Sequence, residues 1–190
     1  MCGARAREGR GLTTEPPVAI RPERPADQDG IASVVERAFG SPNEAKLVAA
    51  IRESQNFVPE WSLVATADER VIGHVMVSHM TLRDGVVERR VAGLSPLAVD
   101  PDRQGRGVGS ALVRAVVAEV DAAGEPLIVL EGSPWYYPRF GFEYAVPLGI
   151  TISLPDWAPA EAAQVMRLSN YDPTMRGVVV YPPAFDVVAE

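Results

Sequence analysis

Apolar positions in the first third of the chain recur at helical spacing. Ile31, Val34, Val35, Ala38 and Phe39 fall on one face of a helix over 27–39, closed by Gly40. Ser41 or Asn43 can cap a second helix over 44–53, whose apolar face is Leu47, Val48 and Ile51. Before both, residues 18–22 predict a short first strand ended by Pro22. After the helices the period drops to two. Residues 61–67 alternate, 67–70 make a turn, and 71–82 alternate again, the pattern of a hairpin. Asp84-Gly85 signals another turn, and the strand behind it runs to Val99. Pro96 cannot donate a ladder hydrogen bond, so that strand is expected to be irregular or bulged. A helix over 110–122 puts Leu112, Val113, Val116, Val117 and Val120 on one face and stops at Gly124. Residues 127–130 form the continuous apolar run of a strand covered on both faces. A short helical stretch over 135–139 and further strands at 150–154 and 178–181 complete the reading. Helices, a meander, then strand–helix–strand predict an α+β domain with mixed pairing around one central crossover.

Length and charge narrow the classes. The 190 residues suit one domain, over 18–190, rather than two. Residues 1–17, rich in Arg, Gly, Thr and Pro without periodicity, are expected to form a disordered tail. Lys plus Arg number 18 against 25 Asp plus Glu, and the net charge of −7 argues against a nucleic-acid or anionic-membrane binder. No apolar run approaches the ~18–20 residues that span a bilayer. The N-terminus carries arginines without an apolar core, unlike a secretory signal, so the expected compartment is the cytoplasm. One cysteine, Cys2, excludes an internal disulfide. His74 and His79 lie five apart on one strand, on opposite faces, and read as structural; no metal centre is expected.

The stretch that carries chemistry is 97–142. Gln104-Gly-Arg-Gly-Val-Gly follows a strand and opens a helix, where unpaired N–H groups and the positive end of the helix dipole favour a phosphate. Gly105, Gly107 and Gly109 let a ligand approach the backbone, and Arg103 and Arg106 add positive charge. A plain glycine-rich turn into a helix has the same spacing. Ser110 stands where a dinucleotide fingerprint needs its third glycine. A P-loop is excluded, because the only lysine is Lys46.

The run Leu97-Ala98-Val99-x-Pro101-x-x-Gln104-Gly105-Arg106-Gly107-Val108-Gly109 resembles the acetyl-CoA motif of the GCN5-related N-acetyltransferases (GNAT). Gln104, Gly107 and Gly109 supply its Gln/Arg-x-x-Gly-x-Gly/Ala core. Downstream, Tyr137-Pro-Arg-Phe-Gly141-Phe142 resembles the family's Tyr-x-x-x-Gly-Phe ending. Residues 135–142 and the late Tyr181-Pro-Pro-Ala-Phe are most similar to the YhbS-type predicted N-acetyltransferases. The resemblance covers about residues 18–145, the domain core, with 146–190 as C-terminal strands and loops.

The resemblance implies the acyl-CoA N-acyltransferase fold, a twisted, mixed, mostly antiparallel sheet flanked by helices. Its strand ending at Val99 would splay from the strand over 127–130, and a pantetheine arm would lie in the wedge. Backbone groups of Leu97, Ala98 and Val99 would pair with that arm. The N–H groups of Gln104, Gly105, Arg106, Gly107, Val108 and Gly109 would hold the pyrophosphate. The implied activity is transfer of the acetyl group of acetyl-CoA, as cosubstrate, to a primary amine by direct attack in a ternary complex. Tyr137 holds the family position for the acid that protonates the thiolate, with Tyr136 as its competitor for the role or as a cofactor contact. Glu131 holds the place of the base, with Glu44, Glu60 or a water path in reserve. Many relatives have an asparagine shortly after the fifth strand; this chain departs there, with Ser133 as the candidate substitute and Trp135 either at the acceptor site or over the core. A non-catalytic acyl-CoA-binding module is the rival reading. Residues 150–190 are expected to complete the sheet and shape the acceptor side, and a homodimer built on them stays open.

Overall fold

The computed structural model describes residues 17–188. The tail expected over 1–17, and Cys2 with it, falls outside those residues except for Pro17. In chain order the elements are β1 (Ala19–Pro22), α1 (Gln28–Phe39), α2 (Asn43–Arg52), β2 (Phe57–Ala67), β3 (Arg70–Asp84) and β4 (Val87–Val99). Then come α3 (Val108–Ala122), β5 (Leu127–Glu131), β6 (Glu143–Tyr144), β7 (Ile150–Thr151), β8 (Ala163–Arg167) and β9 (Gly177–Val180). The strands form one sheet in the order β1-β2-β3-β4-β5-β8-β6, and β9 pairs with both β3 and β7. Pairing is antiparallel except for β4 with β5 and β7 with β9. The parallel β4–β5 pair needs a crossover, and α3 is that crossover.

Alternation along the long strands sends side chains to two covered faces. Leu63, Val75, Val77 and Leu94 pack under Leu112, Val113 and Val116 of α3. Val64 and Met76 point the other way, to Ile31 and Val35 of α1 and to Val48 and Ile51 of α2. A further cluster joins Met80, Leu82 and Val129 to Ile150, Val165 and Val179 from the C-terminal strands. The helices expected from spacing form within two residues of their predicted bounds, and α1 closes at Gly40. Phe39 departs from the expectation: it ends α1 half in solvent instead of in the core.

Two strand predictions are corrected. The strand expected over 150–154 is only Ile150–Thr151. A strand absent from the pattern reading, β8, lies against β5 over its whole length. Its five residues include Gln164 and Arg167, which hide it from a periodicity count. Gln164 is nonetheless buried, because its amide donates to the carbonyls of Gly132 and Ser133 at 3.0 and 3.4 Å.

His74 and His79 occupy opposite sides of the sheet. His79 packs edge-on against Trp61 on the α3 side, with ring centroids 5.0 Å apart. His74 is fully buried beneath the other helices, and burial lowers its pKa. The Ser62 hydroxyl donates to Glu23 Oε2 at 2.5 Å, which leaves its oxygen to accept from His74 Nε2–H at 3.0 Å. Arg52 at the end of α2 grips the same carboxylate at 2.6 and 3.1 Å. Burial alone would raise the Glu23 carboxyl, but hydrogen bonds from His74, Arg52 and Ser62 outweigh it and hold the pKa at about 2. This cluster ties β1, β2, β3 and α2 together. Among the described residues, no three His, Cys, Asp or Glu side chains converge as metal ligands.

Candidate functional site

The site begins where β4 and β5 part. They pair only at Ala92–Ile128 and Gly93–Val129. Beyond Gly93, β4 bulges: Val75 opposes Leu97 and Val77 opposes Leu94, so Met76 faces both Ser95 and Pro96. The expected irregularity at Pro96 is therefore present. Residues 97–99 keep their pairing to β3 on one side, while their β5-facing edge has no partner strand. Unpaired strand-edge groups of this kind can accept an extended ligand.

At the far end of β4, the turn over 100–107 is fixed from three directions. Asp100 Oδ1 accepts from the Asp102 N–H at 2.9 Å. Arg37 of α1 bridges Asp100 and Asp102 at 2.5 and 2.9 Å. The Gln104 side chain donates to the Val99 carbonyl at 3.0 Å, tying the loop to the strand end. Gly107 is the N-cap of α3 at φ +86°, a conformation that favours glycine, and no side chain caps the helix. The first helical bond runs from the Ala111 N–H to the Gly107 carbonyl, so the N–H groups of Val108, Gly109 and Ser110 have no intrahelical partner.

These groups open into a cavity of about 540 Å³ lined by Leu97, Val99, Gln104, Gly105, Gly107, Val108, Gly109 and Tyr136, with Arg103 and Arg139 supplying positive charge. Arg139 was not singled out from the sequence. It sits three residues after Tyr136 in a short 3-10 turn, donates to the Tyr136 and Trp135 carbonyls at 2.8 and 3.2 Å, and lies 4.8 Å over the Tyr136 ring. Two expected cofactor contacts lie elsewhere with their side chains. Ala98 turns into the core beneath α1 and α2, and Arg106 lines neither cavity; for both, the expected contact is a backbone group.

A second cavity, of about 620 Å³, occupies the gap between the parted strands. Leu97 and Tyr136 line both cavities, so the two adjoin. Glu131 reaches the second from the end of β5, Glu44 from the first turn of α2, and Tyr137 from the 3-10 turn Tyr137–Phe140. Its outer wall comes from the C-terminal segment, with Tyr181 and Phe185 held there by the pairing of β9 to β3. Trp157 stands at its rim, 82% exposed.

The turn separates the two tyrosines that sequence left unresolved. Tyr137 is 9% exposed and meets Phe142 and Tyr136 edge-on at 5.5 and 5.1 Å. Gly132 makes room for it: a Cβ there would stand 2.4 Å from Tyr137 Cε2. Tyr136 turns its hydroxyl toward the start of α3, 2.8 Å from where a Cβ on Gly109 would be. Burial, and then the neighbouring Tyr136, push the Tyr137 phenol far above its ordinary value of 10, so it stays protonated across the neutral range. Partial burial raises the Glu131 carboxyl above 4.5. Burial and the Glu131 charge together push Tyr181 up to about 12.

The remaining candidates divide. Ser133 lines the second cavity, but its hydroxyl accepts from the Trp135 N–H at 3.4 Å and its carbonyl from the Tyr136 N–H at 3.0 Å, so it also builds the turn. Trp135 is 87% exposed and lines neither cavity, so neither role expected for it is met. Glu60 is exposed on β2, away from both cavities.

Residues 19–145 match the family model of the acetyltransferase (GNAT) domain. The chain is 37% identical over 161 residues to the uncharacterized N-acetyltransferase YhbS of Escherichia coli strain K12, covering 84% of this chain and 91% of that protein. It is 36% identical over 118 residues to the uncharacterized N-acetyltransferase YjhQ of the same strain, covering 62% of this chain and 65% of that relative, just under two thirds of its length. The crystal structure of Escherichia coli YhbS in complex with CoA superposes with a TM-score of 0.81 at 33% identity, over 94% of this chain and 96% of that one. A GNAT acetyltransferase from Brucella melitensis in complex with acetyl-CoA gives 0.72 at 33% identity, over 89% and 98%.

Proposed function

Because the chain belongs to the GNAT acetyltransferase family, we propose that it transfers the acetyl group of acetyl-CoA to a primary amine by direct attack in a ternary complex. The observation that carries this reading is the parting of β4 from β5 beside an uncapped helix start, with Tyr137 and Glu131 facing the gap. The residues present fit the cosubstrate. N–H groups of 108–110, with Arg103 and Arg139 nearby, suit a pyrophosphate. The unpaired edge of residues 97–99 suits an extended amide-bearing arm, and one of its N–H groups would polarise the thioester carbonyl.

Chemistry then requires the nitrogen to shed two protons and the departing sulfur to gain one. Glu131, directly or through water, takes a proton from the ammonium, and the neutral nitrogen attacks the thioester carbon. As the carbon–sulfur bond breaks, the Tyr137 hydroxyl gives its proton to the departing thiolate. The nitrogen gives up its second proton through solvent to the Tyr137 phenolate, Glu131 releases the first to solvent, and the products are an amide, the CoA thiol and one proton. A phenol held far above 10 remains a donor at any working pH, while a carboxyl raised above 4.5 is a stronger base than an ordinary one.

Calorimetric titration with acetyl-CoA, with NADH and ATP as controls, tests the reading. Saturable binding selective for acetyl-CoA, followed by amine-dependent thiol release, is expected. No acetyl-CoA binding would overturn it.

A further inference from the structure

Resting on the acyltransferase reading, we propose that the acceptor is a cationic primary amine on an apolar, preferably aromatic, body that carries no anionic group. The second cavity has a one-signed lining. Among the described residues around it, Glu44 and Glu131 are charged, and none is Lys, Arg or His. Neither carboxylate has an ion-pair partner among the described residues, and one oxygen of Glu44 is buried without a donor. A cation entering here meets two uncompensated negative charges at reduced dielectric. The rest of the wall is apolar: Phe39 and Leu47 from the helical side, Leu94 from β4, and Phe185 and Trp157 from the C-terminal segment.

That combination selects in two ways. The ammonium is drawn toward Glu131, where its proton must leave, and the body of the molecule displaces water from Leu47, Phe185 and Trp157. A carboxylate or phosphate on the same molecule would be desolvated beside Glu44 and Glu131 with no cation to answer it, and like charges brought together are strongly unfavourable. Glu44 is therefore a specificity residue, because it sits in the first turn of α2, on a different wall from Glu131.

The test uses the full chain with acetyl-CoA and three amines read by thiol release: 2-phenylethylamine, its carboxylated counterpart phenylalanine, and ethylamine. The expected kcat/KM for phenylethylamine exceeds that for phenylalanine by at least ~100-fold and that for ethylamine by at least ~10-fold. Glu44→Gln is expected to raise the amine KM about tenfold with the acetyl-CoA KM unmoved, and Glu44→Lys to narrow the preference against phenylalanine. Tryptophan fluorescence, through Trp157 at the rim, reads phenylethylammonium binding in the presence of CoA without needing turnover. Equal or better use of phenylalanine, failure of phenylethylammonium to bind the CoA-loaded protein, or a Glu44→Gln variant with unchanged amine KM would each overturn the inference. Failure of the family reading looks different, since acetyl-CoA itself would then not bind.

Discussion

Replacing Tyr137 by Phe separates chemistry from architecture unusually well in this protein. The ring fills the space left by Gly132 and meets Phe142 and Tyr136 edge-on, and all of those contacts survive loss of the hydroxyl. No hydrogen bond joins that hydroxyl to another described residue, so the variant leaves no orphaned partner. Stability should therefore stay within about 0.5 kcal/mol of the parent. The catalytic loss can be bounded. General acid assistance contributes ~10²–10⁴-fold, but a thiol with a reference pKa near ~8.5 is a tolerable leaving group without it. The lower end is expected, about 100-fold in kcat, or about 2.7 kcal/mol of barrier. The assay is steady-state thiol release at saturating acetyl-CoA, paired with a thermal melt and an acetyl-CoA titration. Tyr136→Phe is the internal comparison, because its hydroxyl faces the start of α3 and its loss should act on acetyl-CoA binding instead. A Tyr137→Phe enzyme with kcat within threefold of the parent and an unchanged melt would refute the acid assignment.

Three further outcomes are expected. Activity that needs the Glu131 carboxylate is lost as pH falls through a pKa raised above 4.5, so the acidic limb of the pH–rate profile should lie above the ordinary carboxylate value and vanish in Glu131→Gln; an identical profile would make Glu131 structural. A Cβ at Gly107 would meet no atom within 4 Å, so the folding cost of Gly107→Val is set by the left-handed φ, at least ~1–2 kcal/mol, while acetyl-CoA affinity should fall at least ~10-fold on calorimetry; unchanged affinity would remove the pyrophosphate assignment. Holding Glu23 at about 2 instead of 4.5 is worth about 3 kcal/mol at neutral pH. That contribution is complete above the unfolded value and disappears as pH falls toward about 2. Urea unfolding should therefore show Glu23→Gln destabilised at pH 7 and much closer to the parent near pH 3; a constant difference would mean that the carboxylate's charge is not what stabilises the cluster.

The elements that were legible in the sequence are those whose signal is local. The helical spacing around Ile31, Leu47 and Leu112 and the alternation through Leu63 and Val75 report on a few turns or one strand, and the glycines of 104–109 announce an open helix start within six residues. Local chemistry likewise sufficed to expect a bulge at Pro96. Pairing between distant segments was not legible. β8 is too short and too polar to show a period, and it becomes a strand because β5 lies beside it and Gln164 finds the carbonyls of Gly132 and Ser133. How Tyr136 and Tyr137 divide between the start of α3 and the end of β5 depends on the space over Gly109 and Gly132. Tyr181 and Phe185 reach the second cavity only because β9 returns to β3, nearly a hundred residues earlier in the chain. Glu44, on a helix far upstream of the motif, shares that cavity with Glu131 because α2 packs on the sheet through Val48 and Ile51. The sequence thus determined where the open helix start lies, since backbone N–H groups there depend on local conformation alone. Only the tertiary structure decided the make-up of the second cavity, because its walls come from six separate stretches of chain that hydrophobic burial and strand pairing bring to one place.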